Sequence, residues 1–261
     1  MNFWTRLVLT PTAKRISTRK AEVRIRSATG VMQLWAEPSD GVTPDNDPQL
    51  IVLRLLGSRG RAEQATQDPA NRLNGVRSVT WTLNPPSFGA SSGPMSAERV
   101  LQSALDAYDF LTGRYAGVPI WVYGKCIGGT IALALAAERK PAALIIKNAI
   151  DVPERVLRRT RRWLPMSLAQ RISRSVPRVF SPKLSAPQAK GPALFVISSN
   201  DSVASPISQE AIVACYGGPA EKLRVLGEHD QRALDPVDEP HYAAMIAALW
   251  THTGSLAQSA S

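Results

Sequence analysis

The run Val122-Tyr123-Gly124-Lys125-Cys126-Ile127-Gly128-Gly129 constrains this chain more than any other stretch. Val118 to Tyr123, leading into it, is a short apolar segment suited to a buried strand. Thr130 to Lys140, leading out of it, holds good helix formers and ends in basic residues. A chain that passes this abruptly from strand to helix makes a sharp turn, and the helix must then pack close to the sheet. Gly124 and Gly128 supply the room for that approach. Cys126, at the apex, stands where a nucleophile elbow holds its reactive side chain, and the N–H of Ile127 faces the place of a substrate oxyanion. The start of the helix puts partial positive charge beneath the sulfur, which suits an attacking thiolate.

Two further residues follow in an order that gives the elbow meaning. Ala193 to Ser199 is a strand candidate that runs into a loop with Asp201 near its tip, and Glu221 to Leu226 is a second, with His229 just beyond it. The gap of 28 residues between acid and histidine leaves room for one helix, about 207–216, and one strand. Nucleophile, acid and histidine thus stand in turn at strand ends. In this reading Cys126 attacks an acyl carbonyl, His229 takes its proton and later activates water, and Asp201 orients the imidazole. The N–H groups of Ile127 and Ser58 would bind the oxyanion, and one such donor is worth about 3 kcal/mol of barrier.

Composition bounds the rest. At 261 residues and 44% hydrophobic content the chain suits one α/β domain with a substantial core. No apolar run approaches the roughly 20 residues needed to span a bilayer, and the N-terminus is a poor secretory signal. Two cysteines make no disulfide framework, and a catalytic thiol must stay reduced, so a cytoplasmic setting is expected. No metal-binding pattern is present, and the chemistry needs no cofactor. The net charge of +10 is uneven. Residues 1–26 hold seven Lys and Arg against one acid, and residues 151–190 hold ten against two, so the remainder is mildly acidic. That asymmetry points to anionic partners, either an acidic substrate or an anionic membrane surface touched peripherally, and not to nucleic acid. A merely solubilising surface accounts for it equally well.

Along the chain, strands are expected over 21–28 and 30–38 with a turn at Thr29-Gly30, then over 50–56, 76–83, 118–124 and 142–150. A short helix is expected over 61–67, a long one after Ser96, and a last one over 241–254. Val100, Leu101, Ala104, Leu105, Tyr108 and Leu111 form the apolar stripe of the long helix. Strands alternating with helices predict a mostly parallel sheet covered on both faces. The chain divides into a basic extension (1–20), the main domain (21–253) and a polar tail (254–261). Residues 151–191 form a basic, cap-like insert with a helical pattern broken at Pro165.

The elbow, the order of the three residues and the segment "WTLNPPSFGASSGPMSAERVLQSALDAYDFL" resemble the small α/β-hydrolases of the serine-aminopeptidase and depalmitoylase-like type. The resemblance covers about residues 21–250 and implies the α/β-hydrolase fold with a minimal cap. In "IVLRLLGSRGRAE", Leu56 stands where that family has His, while Gly57 remains and Ser58 follows. The cysteine at the elbow is similar to that of dienelactone hydrolases, and "GKCIGGTIALALA" also resembles the elbow of polyhydroxyalkanoate synthases, which are much longer.

Other residues compete for these roles. His241 is a rival base and Asp151 a rival acid. His252, Asp230 and Asp235 read as surface or loop residues, and Cys215 as core. Lys125 either tunes the neighbouring thiol or is simply solvated. Arg59 and Arg61 either receive a substrate anion or belong to a solvated loop. Trp163 lines an acyl pocket, anchors at an interface or packs on the body. Three functions fit these residues. The first is a hydrolase of acyl esters or thioesters working through a Cys-His-Asp triad. The second is an acyltransferase on the same fold, and the third is a non-catalytic interaction protein in which Cys126 is inert.

Overall fold

The structure is a computed structural model and describes residues 8–28, 30–45, 47–231 and 233–259, the side chains of 255–259 excepted. Thr29 of the expected first turn and residues 1–7 of the basic extension lie outside the described residues. Among the described residues eight strands form a single sheet: β1 Ala21–Ser27, β2 Gly30–Pro38, β3 Leu50–Leu55, β4 Ser78–Asn84, β5 Ile120–Lys125, β6 Ala143–Lys147, β7 Ala193–Ser198 and β8 Ala220–Val225. Their order is β1-β2-β4-β3-β5-β6-β7-β8. β2 pairs antiparallel with both neighbours, and every other pairing is parallel. The mostly parallel sheet expected from the sequence is thus present. Strands β3, β6 and β7 are buried along their whole length, as a sheet covered on both faces requires.

The helices are α1 Ala97–Arg114, α2 Ile127–Glu138, α3 Val152–Thr160, α4 Met166–Arg174, α5 Pro182–Ser185, α6 Pro206–Ala214 and α7 Glu239–Ser259. The Ser96 side chain caps α1 by accepting from the N–H of Arg99. Of the expected stripe on α1, Val100, Ala104, Leu105, Tyr108 and Leu111 are buried. Two cores result, one on each face of the sheet. The first joins Leu53, Trp81, Val122 and Ile146 to α1 and α2. The second joins Val52, Trp121, Tyr123 and Ile145 to Tyr242 and Ile246 of α7. Adjacent residues of one strand enter opposite cores, the period-two consequence of the pleat.

The structure departs from the expected elements in four places, the first being the strand expected over 142–150, which ends at Lys147 because Asn148 turns away with φ 52°. The helix expected over 61–67 is only a 3-10 turn, Ala62–Gln64, because Arg61 and Glu63 are drawn into a buried ion pair. The last helix runs on to Ser259 instead of ending near 254. Residues 8–20, read as an extension, lie against the body. Leu9 is buried in the first core, the N–H of Thr10 donates to the carbonyl of Ser58 at 2.9 Å, and Arg61 donates to the carbonyls of Thr12 and Lys14.

Candidate active site

The parallel strands β5, β6, β7 and β8 all end on one edge, and the loops that leave them carry the candidate residues. Cys126 sits between β5 and α2 with φ 57° and ψ −122°, a conformation costly for any residue bearing a Cβ. It is held there on both sides. Its N–H donates to the carbonyl of Lys147 on β6, and its carbonyl accepts from Gly129 and Thr130 in the first turn of α2. The glycines are needed for close approach. A Cβ on Gly128 would stand 2.1 Å from the carbonyl oxygen of Leu55, and one on Gly124 would stand 2.4 Å from that of Gly128. Ile127, as the first residue of α2, has an N–H without an intrahelical acceptor. Gly57 lies against the Cβ of Cys126, which brings the turn carrying Ser58 beside the elbow.

Asp201 and His229 are in contact, with 2.7 Å between Oδ2 and Nδ1, and both are almost fully buried. The carboxylate is itself fixed by the N–H groups of Val203 and Ala204 on Oδ1, at 2.8 and 2.7 Å, and by Gln209 on Oδ2 at 3.3 Å. Its oxygens are therefore occupied, and the histidine ring is oriented by a group that cannot swing away. Burial alone would lower the histidine pKa. The hydrogen bond to Asp201, with a further contribution from the Cys126 thiol, outweighs burial and raises it to about 9. Nε2, the other ring nitrogen, is buried and makes no hydrogen bond among the described residues.

The remaining candidates are placed as follows. Lys125 reaches across to the carbonyl of Gln231 at 3.1 Å and so ties the end of β5 to the histidine loop. Arg59 is exposed, whereas Arg61 is buried against Glu63 and is not placed to receive a substrate anion. Trp163 stands in the turn between α3 and α4, 86% exposed, and does not pack on the body. Asp151 is the cap of α3, accepting from the N–H of Glu154 and pairing with Lys183 at 3.3 Å. Burial pushes its pKa up. His241 and His252 are exposed on α7. Cys215 caps α6, packs partly against the first core and has its pKa raised by burial. Among the described residues no cluster of three His, Cys, Asp or Glu side chains could hold a metal ion. No helix there is long and apolar enough to cross a membrane.

Two features of the site escaped the sequence reading. Asn148, at the end of β6, is fully buried with φ 52°. Its Oδ1 accepts from the N–H of Ser198 at 2.9 Å, and its Nδ2 donates to Ser198 Oγ at 2.8 Å and to the carbonyl of His229 at 3.4 Å. It is the cross-brace between β6, β7 and the histidine loop. The second feature is a buried polar network behind the Ser58 turn. There Asn84 donates to Gln33 and Glu63 and accepts from the N–H of Ala62, while Glu63 pairs with Arg61. The only signal in the sequence was Asn at a strand end, a residue type that tolerates the left-handed region.

The sheet order, the elbow and the loop placement are those of the α/β-hydrolase fold. No family model matches the chain, and no curated protein matches it. Solved structures do. The esterase Pf2001 of Pyrococcus furiosus superposes with a TM-score of 0.70 at 13% identity, over 94% of this chain and 96% of that one. An alpha-beta hydrolase from Vibrio vulnificus gives 0.65 at 18% identity, over 88% and 81%. XC6422 of Xanthomonas campestris, a serine hydrolase without a lid, gives 0.57 at 13% identity, over 91% and 94%. At these identities the likeness is one of fold, and function has to be argued from the site.

Proposed function

We propose that the chain hydrolyses acyl esters or thioesters, with Cys126 as nucleophile, His229 as base and Asp201 as the group that holds the imidazole. The observation that carries this reading is the buried Asp201–His229 pair, placed by two strand ends beside a thiol in a strained elbow. Nothing about a structural cysteine requires a backbone at φ 57° or an oriented, buried histidine next to it. The esterases and serine hydrolases of the same fold lend support of a general kind; the role of Cys126 is argued from this chain's own residues.

In the first step the sulfur of Cys126, whose proton has passed to Nε2 of His229 beforehand, bonds to the acyl carbon as a thiolate. The carbonyl oxygen becomes an oxyanion facing the N–H groups of Ile127 and Ser58. Collapse of the intermediate breaks the bond to the leaving alcohol or thiol, which takes the proton from His229. Water, losing a proton to His229, then attacks the thioester and releases the acid and the free thiol. A raised histidine pKa favours the protonated ring that forms in each half of this cycle, and Asp201 supplies the matching negative charge.

The test is intact-mass analysis after brief exposure to an activated ester. A single acyl adduct on Cys126, with a burst of leaving group, is expected. Iodoacetamide should label Cys126 before Cys215 and abolish turnover. Asp201→Asn and His229→Ala should each lower kcat by about 10³–10⁴, while His241→Ala retains activity. Turnover that survives complete alkylation of Cys126 would remove it as the nucleophile. Adducts that pass faster to added alcohols than to water would redraw the reaction as acyl transfer.

A further inference from the structure

Helices α3 and α4 form a hairpin whose surface is unlike the rest of the molecule. Its two ends are tied together at the base, where Ser173 near the end of α4 donates to the carbonyl of Pro153 near the start of α3. Val152, Val156 and Ala169 are buried, so the inner face is fully used in packing. At the tip the N–H groups of Trp163 and Leu164 both donate to the carbonyl of Thr160, which closes the turn. The tip carries Trp163, 86% exposed, and next to it Met166 and Leu168, 50% and 43% exposed. Arg159, Arg161 and Arg162 are exposed around these side chains, Arg171 and Arg174 are exposed farther along α4 towards the base, and none of the five makes an ion pair among the described residues. No Asp or Glu occurs between Glu154 and Asp201, so the stretch has no acids of its own to neutralise them.

We infer that the tip of this hairpin docks on an anionic phospholipid surface, with Trp163, Met166 and Leu168 entering the headgroup region and the arginines contacting lipid phosphates. An indole fits the membrane–water boundary because its ring is apolar and its N–H is a donor. The arginines can lie along the surface with their stems against apolar groups and their guanidinium groups on phosphate. Charge alone would suit a nucleic acid equally. Three exposed apolar side chains side by side favour the bilayer, because Met and Leu gain nothing from a phosphate backbone. The hairpin base stands at the acid loop, since Arg155 donates to the carbonyl of Val203. A docked tip is therefore joined to the acid loop by the single helix α3.

The experiment is co-sedimentation of the full chain with phosphatidylcholine vesicles, with and without phosphatidylserine, at low and physiological salt. Binding is expected only where phosphatidylserine is present, and it should weaken as salt is added. Neutralising Arg161 and Arg162 together (Arg161→Gln, Arg162→Gln) should weaken it about 30-fold, from about 1 kcal/mol per basic residue near the surface. Trp163→Phe should remove the part of the tryptophan fluorescence that brominated lipid quenches. The control carries Lys14→Gln, Arg15→Gln and Arg19→Gln in the other basic segment and should bind as the wild type does. Circular dichroism confirms that each variant is folded, as substitutions at exposed positions should leave it. Equal binding to neutral vesicles, loss of binding in the control rather than in the hairpin variant, or a preference for single-stranded RNA over vesicles at matched salt would each overturn the inference. None of these outcomes depends on whether Cys126 is a nucleophile.

Discussion

Replacing Gly128 with alanine tests the link between the sheet and the elbow most directly. The added Cβ would stand 2.1 Å from the carbonyl oxygen of Leu55, 2.5 Å from its carbonyl carbon and 2.7 Å from the oxygen of Leu56. Real Cβ contacts essentially never fall under 3.0 Å, so the first turn of α2 and the end of β3 must separate by about 0.9 Å. Neither side yields easily. The obstructing atoms are backbone, β3 is hydrogen-bonded to strands on both edges, and α2 is buried almost all round. Overpacking of this kind costs about 1–3 kcal/mol, against about 1 kcal/mol that alanine gains over glycine inside a helix. With backbone in the way the upper part of the range applies. The net loss is about 2 kcal/mol, a fall in Tm of roughly 4–8 °C at this chain length. The effect on rate should be larger. The movement parts the N–H of Ile127 from the turn carrying Ser58, and a misplacement near 1 Å costs about 100-fold. Calorimetry and burst kinetics with an activated ester measure the two effects separately. Gly113→Ala on α1, where a Cβ meets nothing within 4 Å, is the control and should gain about 0.5–1 kcal/mol. A Gly128→Ala protein with the wild-type Tm and burst rate would refute the claim that close backbone approach holds the elbow in place.

Asn148→Ala should cost about 2–3 kcal/mol by removing the brace to Ser198 and leaving its buried N–H unpaired. It should lower kcat with little change in KM, because it loosens the histidine loop and not the substrate; an unchanged kcat in a folded variant would deny it the positioning role. The histidine also sets a pH dependence. Its folded pKa of about 9 lies above the ordinary 6.5, so the stability it contributes is complete below pH 6.5 and is lost as pH rises through 9. Lys147, lowered by burial and by Lys125 to about 8 from 10.5, acts in the opposite sense, but only above pH 8. Urea midpoints should therefore fall between about pH 6 and about pH 8 in the wild type and much less in Asp201→Asn; a flat or rising wild-type profile would contradict the shift.

Much of the architecture could be read from the chain because its signals are local. The apolar runs of β3, β5, β6 and β7, the stripe on α1 and the Ser96 cap each declare themselves within a few residues of sequence. Cys126 and Asp201 are legible for the same reason, each following on such a run, whereas His229 follows the charged edge strand β8 and is legible from its place in the order. What was hidden depends on partners far away in sequence. Asn148 acts on Ser198 and His229, 50 and 81 positions on. Arg61 and Glu63 form a turn instead of a helix because Asn84 and the carbonyls of Thr12 and Lys14 lie beside them. Residues 8–20 had the composition of a free extension, and the burial of Leu9 with the hydrogen bonds to Ser58 and Arg61 shows that they belong to the body.

The two outer strands bear on how the molecule behaves in a crowded solution. Among the described residues β1 and β8 each have a neighbouring strand on one side only, and such an edge is a template for a ninth strand from another chain. Both edges are guarded. β1 carries Glu22, Arg24 and Arg26, and β8 carries Glu221, Lys222 and Arg224, the last two held by Glu210 of α6. An incoming strand would have to strip water from these ions, at several kcal/mol for each one it buries. The same charges that make the edges unattractive as strand interiors keep partly unfolded copies from adding to a finished sheet, so this protein should resist aggregation by edge pairing even while its hydrophobic strands are being assembled.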